Sequence, residues 1–98
     1  MTVKEIREQL QTANKPVAKS FHIGNSFKVL LFGFNKGMKL EEHKAKHPTK
    51  LLVLDGDVIY HQEKNDKRLK QFDEVDIPAN IPHSIGALKD SIILLTQG

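Results

Sequence analysis

The stretch "KLLVLDGDVIYHQ" (residues 50–62) decides how the chain is read. Two apolar, partly β-branched runs, 51–54 and 58–60, flank Asp55-Gly56, a dipeptide that tolerates the positive φ angles of a tight turn. Each run is too short for a stable helix, so the stretch predicts a β-hairpin inside a β meander. Downstream, "EKNDK" (63–67) reads as a second polar turn and "RLKQFDEVDIP" (68–78) as one or two short strands. "PANIPHS" (78–84) is too rigid for helix and too poor in donors for a central strand, because Pro78 and Pro82 each lack an N–H; a structured loop is expected. "SIILLTQG" (91–98) reads as a terminal strand.

Upstream, "SFKVLLFGFNKG" (26–37) is rich in aromatic and branched residues and bounded by Gly24 and Gly37, which predicts a strand buried on at least one side. Before it the periodicity changes. Val3, Ile6, Leu10 and Ala13 follow spacings of three and four, the pattern of one helix face, and predict a helix over residues 1–14 that ends ahead of Pro16. Thr2 is the expected N-cap, with Glu5 completing a capping box. One helix followed by six to eight short strands predicts an all-β sandwich or barrel in a single domain, 1–98, with the helix at an edge.

Ninety-eight residues suffice for one core and leave little room for a second. Without cysteine there is no disulfide, thiolate metal site or thiol nucleophile. The N-terminal residues carry charges where a signal peptide is apolar, and no apolar run approaches the ~20 residues of a membrane helix; a soluble, cytoplasmic protein without membrane partners is expected. The net charge is +3, and Lys36, Lys39, Lys44, Lys46 and Lys50 crowd one stretch, partly offset by Glu41 and Glu42. Such a patch attracts an anionic ligand or forms a solvated face. Nucleic acid is not an expected partner: there is no Trp, Tyr60 is the single Tyr, and no stretch interleaves aromatics with Arg.

Among five histidines, His43 and His47 stand four apart. On a helix they would form a metal half-site, but Gly37 and Pro48 confine any helix there to a short, lysine-rich piece, and an extended segment fits the downstream strands better. His22 and His61 read as exposed or packing residues. Ser84 beside His83, and Asp90 with Ser91, read as a turn and a strand start.

Two segments carry a family resemblance. A glycine, five residues and a histidine (Gly37 to His43), with the turn glycine Gly56 thirteen residues later, resemble the first cupin motif; "FDEVDIPANIPHSIGA" (72–87), with Pro78, Asn80 and His83, resembles the second. "KDSIILLT" (89–96) is similar to the closing strand of small cupins. The resemblance covers residues 25–96 and implies a small cupin-like, RmlC-like β-barrel (double-stranded β-helix, or jelly roll), here with an N-terminal α-helix. It also implies a metal held by three histidines and a glutamate. His43 and His83 stand at the first and last of those positions, whereas Ala45 and Thr49 occupy the other two and are poor ligands. A zinc, iron, nickel, copper or manganese ion would then require His47 as a third donor.

Three functional expectations follow. The first is a small-molecule-binding cupin, its ligand anchored at the barrel mouth by His43 and His83, with Tyr60 as a further hydrogen-bonding group and lysines favouring an anion. The second is a metal-dependent oxygenase, isomerase or lyase using His43, His83 and His47, with Tyr60, Glu41 or Glu42 as candidate acid or base. The third is a structural or regulatory homodimer module with a filled barrel, suggested by the excess apolarity of "SFKVLLFGF".

Overall fold

The computed structural model describes Met1–Gly98. A helix, α1 (Thr2–Leu10), precedes nine strands: β1 (Val17–Ile23), β2 (Lys28–Phe34), β3 (Lys39–His43), β4 (Thr49–Asp55), β5 (Asp57–Gln62), β6 (Asn65–Lys70), β7 (Glu74–Ile77), β8 (His83–Ala87) and β9 (Ser91–Gln97). They form two antiparallel sheets, a five-stranded one in the order β1-β2-β9-β4-β7 and a four-stranded one in the order β3-β8-β5-β6. From β2 onward the chain passes repeatedly between the sheets, as a jelly roll requires. No helix is long and apolar enough to cross a membrane.

The space between the sheets is filled. Phe34, Leu51, Val53, Val58, Tyr60, Ile77, Ile85, Ile93 and Leu95 form its centre, each nearly or wholly removed from solvent. The five-stranded sheet also buries its outer face, where Ile6 and Leu10 of α1 pack on Leu31 and Ile92. That second cluster explains why β2 and β9 read as continuous apolar runs: alternate residues serve opposite faces. Gly33 seats the helix, since a Cβ there would lie 2.2 Å from Ile6 Cγ2 and 2.9 Å from Leu10 Cδ1. The apolar excess of β2 is therefore taken up within the chain by α1.

The Asp55-Gly56 expectation is corrected. β4 and β5 do not pair with each other: β4 lies between β9 and β7, and β5 between β8 and β6. Gly56, at φ +105°, is instead the point where the chain leaves one sheet for the other. The positive φ was legible in the dipeptide; the hairpin was not, because a two-residue turn and a sheet crossover share the same local chemistry. The crossover is pinned by Ser91, whose Oγ accepts the Asp57 N–H at 3.1 Å and donates to the Lys89 carbonyl at 2.7 Å. Beside it the buried Asp57 carboxylate accepts two bonds from Arg68, at 3.0 and 2.7 Å. The Arg68 guanidinium holds the Asp57 carboxyl below the usual range, against the opposing effect of desolvation.

Other boundaries also shift. The helix ends at Leu10 rather than Asn14, and Thr2 is its first residue rather than its cap; Glu5 pairs with the Met1 ammonium at 3.0 Å instead of closing a capping box. The strands begin at Val17, before residue 25, because β1 alternates weakly and is mostly exposed. Part of "EKNDK" already belongs to β6, with Glu63 (φ 52°) in the turn before it. The last strand, β9, closes the chain as expected and lies at the centre of the larger sheet.

Gly56→Val is expected to abolish cooperative folding or to lower the melting temperature by well over ~10 °C, because a Cβ at Gly56 would lie 2.1 Å from Ser91 Oγ and 2.6 Å from the Asp90 carbonyl oxygen. Gly86→Ala, whose Cβ meets nothing within 4 Å, is the matched control and should melt near the parent. Circular dichroism on the pair decides it; two equal melting points would mean that the crossover is not constrained at Gly56. Ile6→Ala should cost about 2–5 kcal/mol in urea unfolding, the range for a buried large-to-small change; a cost below ~1 kcal/mol would mean that α1 is not part of the cooperative core.

Candidate functional site

Strand β3 ends at His43 and β8 begins at His83, and the two residues are register partners across the sheet. Directly opposed residues place their side chains in contact. The imidazole centroids lie 4.2 Å apart at an interplanar angle of 60°. Each ring is fixed in the same way: His43 Nδ1 lies 2.9 Å from the Glu41 carbonyl oxygen, and His83 Nδ1 lies 3.1 Å from that of Ile81. A carbonyl only accepts, so in the neutral rings Nδ1 carries the proton and Nε2 keeps its lone pair.

The two rings differ in surroundings. His43 is exposed and His83 is 3% exposed. No buried side-chain nitrogen or oxygen lacks a partner, so the unbonded Nε2 of His83 keeps a contact with solvent. Desolvation, and to a lesser degree the neighbouring His43, lower the His83 pKa, while its bond to Ile81 opposes them. The Tyr60 ring centroid lies 6.0 Å from that of His83, its hydroxyl donates to Gln62 Oε1 at 2.6 Å, and burial raises its pKa. Tyr60 is therefore a neutral wall beside the pair, its proton engaged with Gln62 rather than offered to His83.

The loops around this pair are tied together. Asn80, at φ 63°, donates its backbone N–H to the Ala45 carbonyl at 2.8 Å, which joins the β7–β8 loop to the β3–β4 loop. Asn is among the few non-glycine residues that accept this conformation readily. Thr49 is buried, and its hydroxyl donates to the His47 carbonyl at 3.2 Å, so it helps shape the loop.

His43 lines a cleft of about 340 Å³ together with Lys28, Lys44, Ala45, Lys46, His47 and Gln97. No Asp or Glu lines it, and none of its three lysines is engaged in an ion pair. Lys28 and Gln97 carry no motif signal. They reach the cleft because Lys28 opens β2 opposite Gln97 at the end of β9, and Gln97 in turn opposes Thr49. Of the expected residues, then, the fold brings His43 and His83 into contact, sets Tyr60 beside His83, and places His47 with His43 on a cleft that His83 does not line. Tyr60 opens on a different cleft, with Gln62, Asn65 and Asp66. His22 packs against Phe27 at 5.4 Å and His61 pairs with Asp66 at 2.6 Å, as surface residues.

A resident metal does not fit this donor set. Nowhere do three His, Asp or Glu side chains gather as ligands. Two imidazoles with free Nε2 atoms make half a site, and zinc or iron in proteins takes three or four protein donors. What the pair offers instead is two adjacent ring nitrogens that accept hydrogen bonds when neutral and donate them when protonated, beside a field of unpaired positive charge.

The depressed His83 pKa fixes a pH dependence. Unfolded His83 takes up a proton near pH ~6.5, whereas the folded residue does so only at lower pH. Between the two the unfolded state holds more protons, so stability rises with pH and falls on acidification. Urea midpoints measured from pH 7.5 to 5.5 should drop more steeply for the parent than for His83→Gln; parallel slopes would show that His83 is not buried as a neutral group.

No family model matches the sequence, and no curated protein does. Solved structures match throughout. A cupin superfamily protein from Desulfitobacterium hafniense is 20% identical, with 86% of this chain and 77% of that one covered and a TM-score of 0.81. KdgF from a Halomonas species is also 20% identical, covering 87% of this chain and 81% of its own, TM-score 0.80. Salicylate 1,2-dioxygenase from Pseudoaminobacter salicylatoxidans superposes on 98% of this chain at a TM-score of 0.89 and 14% identity, although the match spans only 31% of that enzyme. Paired with the two-sheet topology and the facing of His43 and His83, these likenesses show that the chain is a small domain of cupin fold.

Proposed function

We propose that this chain binds a small anionic molecule at the barrel mouth, through His43 and His83 with the lysines of the adjoining cleft. The observation that carries the reading is the His43–His83 contact at 4.2 Å, with both Nδ1 atoms tied to carbonyls and both Nε2 atoms unbonded. Two rings oriented by backbone bonds are held ready for a ligand at little entropic cost. Lys28, Lys44 and Lys46, free of carboxylate partners, set the sign of that ligand's charge. Tyr60 supports the His83 ring. The ligand is a carboxylate or a phosphate ester, and it sits at the rim, since the interior is packed with side chains.

Titration of the protein with inorganic phosphate and with propionate, followed by the imidazole resonances in NMR, tests the reading. The His43 and His83 signals should shift saturably, and His43→Ala or His83→Ala should weaken binding at least ~10-fold, equivalent to about 1.4 kcal/mol, while the His43→Ala melting point stays within a few degrees of the parent. Signals indifferent to both anions would sink the anionic-ligand reading. Elemental analysis of protein purified without tag or chelator should find metal well below one per chain. Near-stoichiometric metal, lost in both alanine variants, would favour a metal-dependent enzyme instead, with His47→Ala then testing a third ligand.

The filled interior favours a second reading, a packed barrel that acts as a homodimer module. β1 is the edge of the larger sheet and leaves Phe21 57% exposed, a feature that pairing with a second copy would cover. Sedimentation velocity distinguishes the two: a dimer disrupted by Phe21→Lys, with no anion response in the parent, would replace the ligand reading.

A further inference from the structure

The basic cleft does not stand alone. A second cleft, of about 420 Å³, opens at the tip of the β1–β2 hairpin and is lined by Ile23, Gly24, Phe27 and Gly98, among others. Lys28, His47 and Gln97 line both clefts. Neither contains an Asp or Glu side chain, so positive charge on one side adjoins uncovered apolar surface on the other: Ile23 is 61% and Phe27 44% exposed.

From this juxtaposition we infer that the two clefts form one site for an anionic amphiphile, a carboxylate or phosphate monoester carried on an apolar chain or ring. The inference deepens the proposed anionic-ligand function and rests on it. The head group lies among Lys28, Lys44, Lys46 and His43; the apolar part lies over Ile23 and Phe27. Each half argues for the other. A bare anion would fill the lysine cleft and leave the apolar half wet. A purely apolar molecule reaching Lys28 would strip water from an ammonium group without pairing it. Both volumes fall in the range of small-ligand pockets.

The apolar half is built, not incidental. The Gly24 N–H donates to the Phe27 carbonyl at 2.9 Å and closes the hairpin. The Phe27 ring lies over Gly24 so closely that a Cβ there would stand 2.1 Å from the ring, and the same ring packs against His22. Phe27 is thus held in place while one side stays open to solvent. His47, with no side-chain partner in the fold, stands at the junction, where a ring N–H can donate to the head group.

Calorimetric titration with decanoate, propionate and decanol at low salt tests the inference. Decanoate should bind at least ~10-fold more tightly than propionate, and more tightly than decanol. Phe27→Ser should bring decanoate down toward propionate and leave propionate unchanged; Ile23→Ser, at an exposed strand end, repeats the test should the first variant fold poorly. Lys44→Gln combined with Lys46→Gln should weaken both acids. Equal affinities for decanoate and propionate would overturn the amphiphile inference and leave the anion site standing. Absence of binding by all three, with no response to phosphate, would remove both. Decanol binding as tightly as decanoate would make the site simply apolar, and sedimentation with anionic phospholipid vesicles without saturable decanoate binding would make it a membrane-contact surface; either result refutes the inference.

Discussion

The double burial of β9 is the constraint on which the rest of the structure depends. The strand is paired on both edges, with β2 on one side and β4 on the other. It is buried on both faces, Ile93 and Leu95 toward the four-stranded sheet and Ile92 toward α1. A sheet whose central strand is apolar on both faces needs two covers. The four-stranded sheet is one, and α1 is the other. Burying Ile6 and Leu10 removes two large side chains from water, each worth about 1.5–3 kcal/mol, so the helix is integral to the fold even though a nine-residue helix is marginal in isolation.

The same strand links the sheet crossover at its start to the candidate site at its end. At its start, Ser91 holds the Gly56 crossover and sits beside the Asp57–Arg68 pair. At its end, Gln97 faces Lys28 and Thr49 and opens on both clefts. The mouth is thus assembled from the end of β9, the start of β2, and the loop between β3 and β4. That loop is held by the Asn80–Ala45 bond, a contact from the β7–β8 loop, which also links the two sheets. Most residues of such a site lie in loops or at strand ends, positioned by the sheets that supply them.

Legibility in the sequence followed the range of the interactions involved. Strand identity was largely readable for β2, β4, β5 and β9, because apolar runs and turn residues are local. The facing of His43 and His83 was readable only through motif spacing, since nothing in the composition of "KLEEH" and "HSIGA" says that β3 and β8 pair. The misread was Asp55-Gly56, where local chemistry correctly demanded positive φ but the partners of β4 and β5 were set by β9 and β8, far along the chain. β1 carries a weak sequence signal because it buries little. Lys28 and Gln97 could not be found at all: a lysine and a glutamine at strand ends are ordinary until register sets them opposite each other.

Filling the barrel moves the chemistry outward. Tyr60, Phe34, Leu51 and their neighbours occupy the volume between the sheets, and Thr49 spends its hydroxyl on a local carbonyl. Ala45 contributes no donor atom, while its backbone carbonyl receives Asn80. With its interior packed, the barrel leaves His83 only 3% exposed, in contact with His43. The histidines then adjoin a rim cleft whose lysines have no carboxylate partners. The anion proposed above would be drawn by that charge, strongly where the protein's low dielectric adjoins the cleft and less as salt screens it. The charge the fold leaves unpaired and the apolar surface it leaves uncovered meet at His47, where the proposed amphiphile would satisfy both.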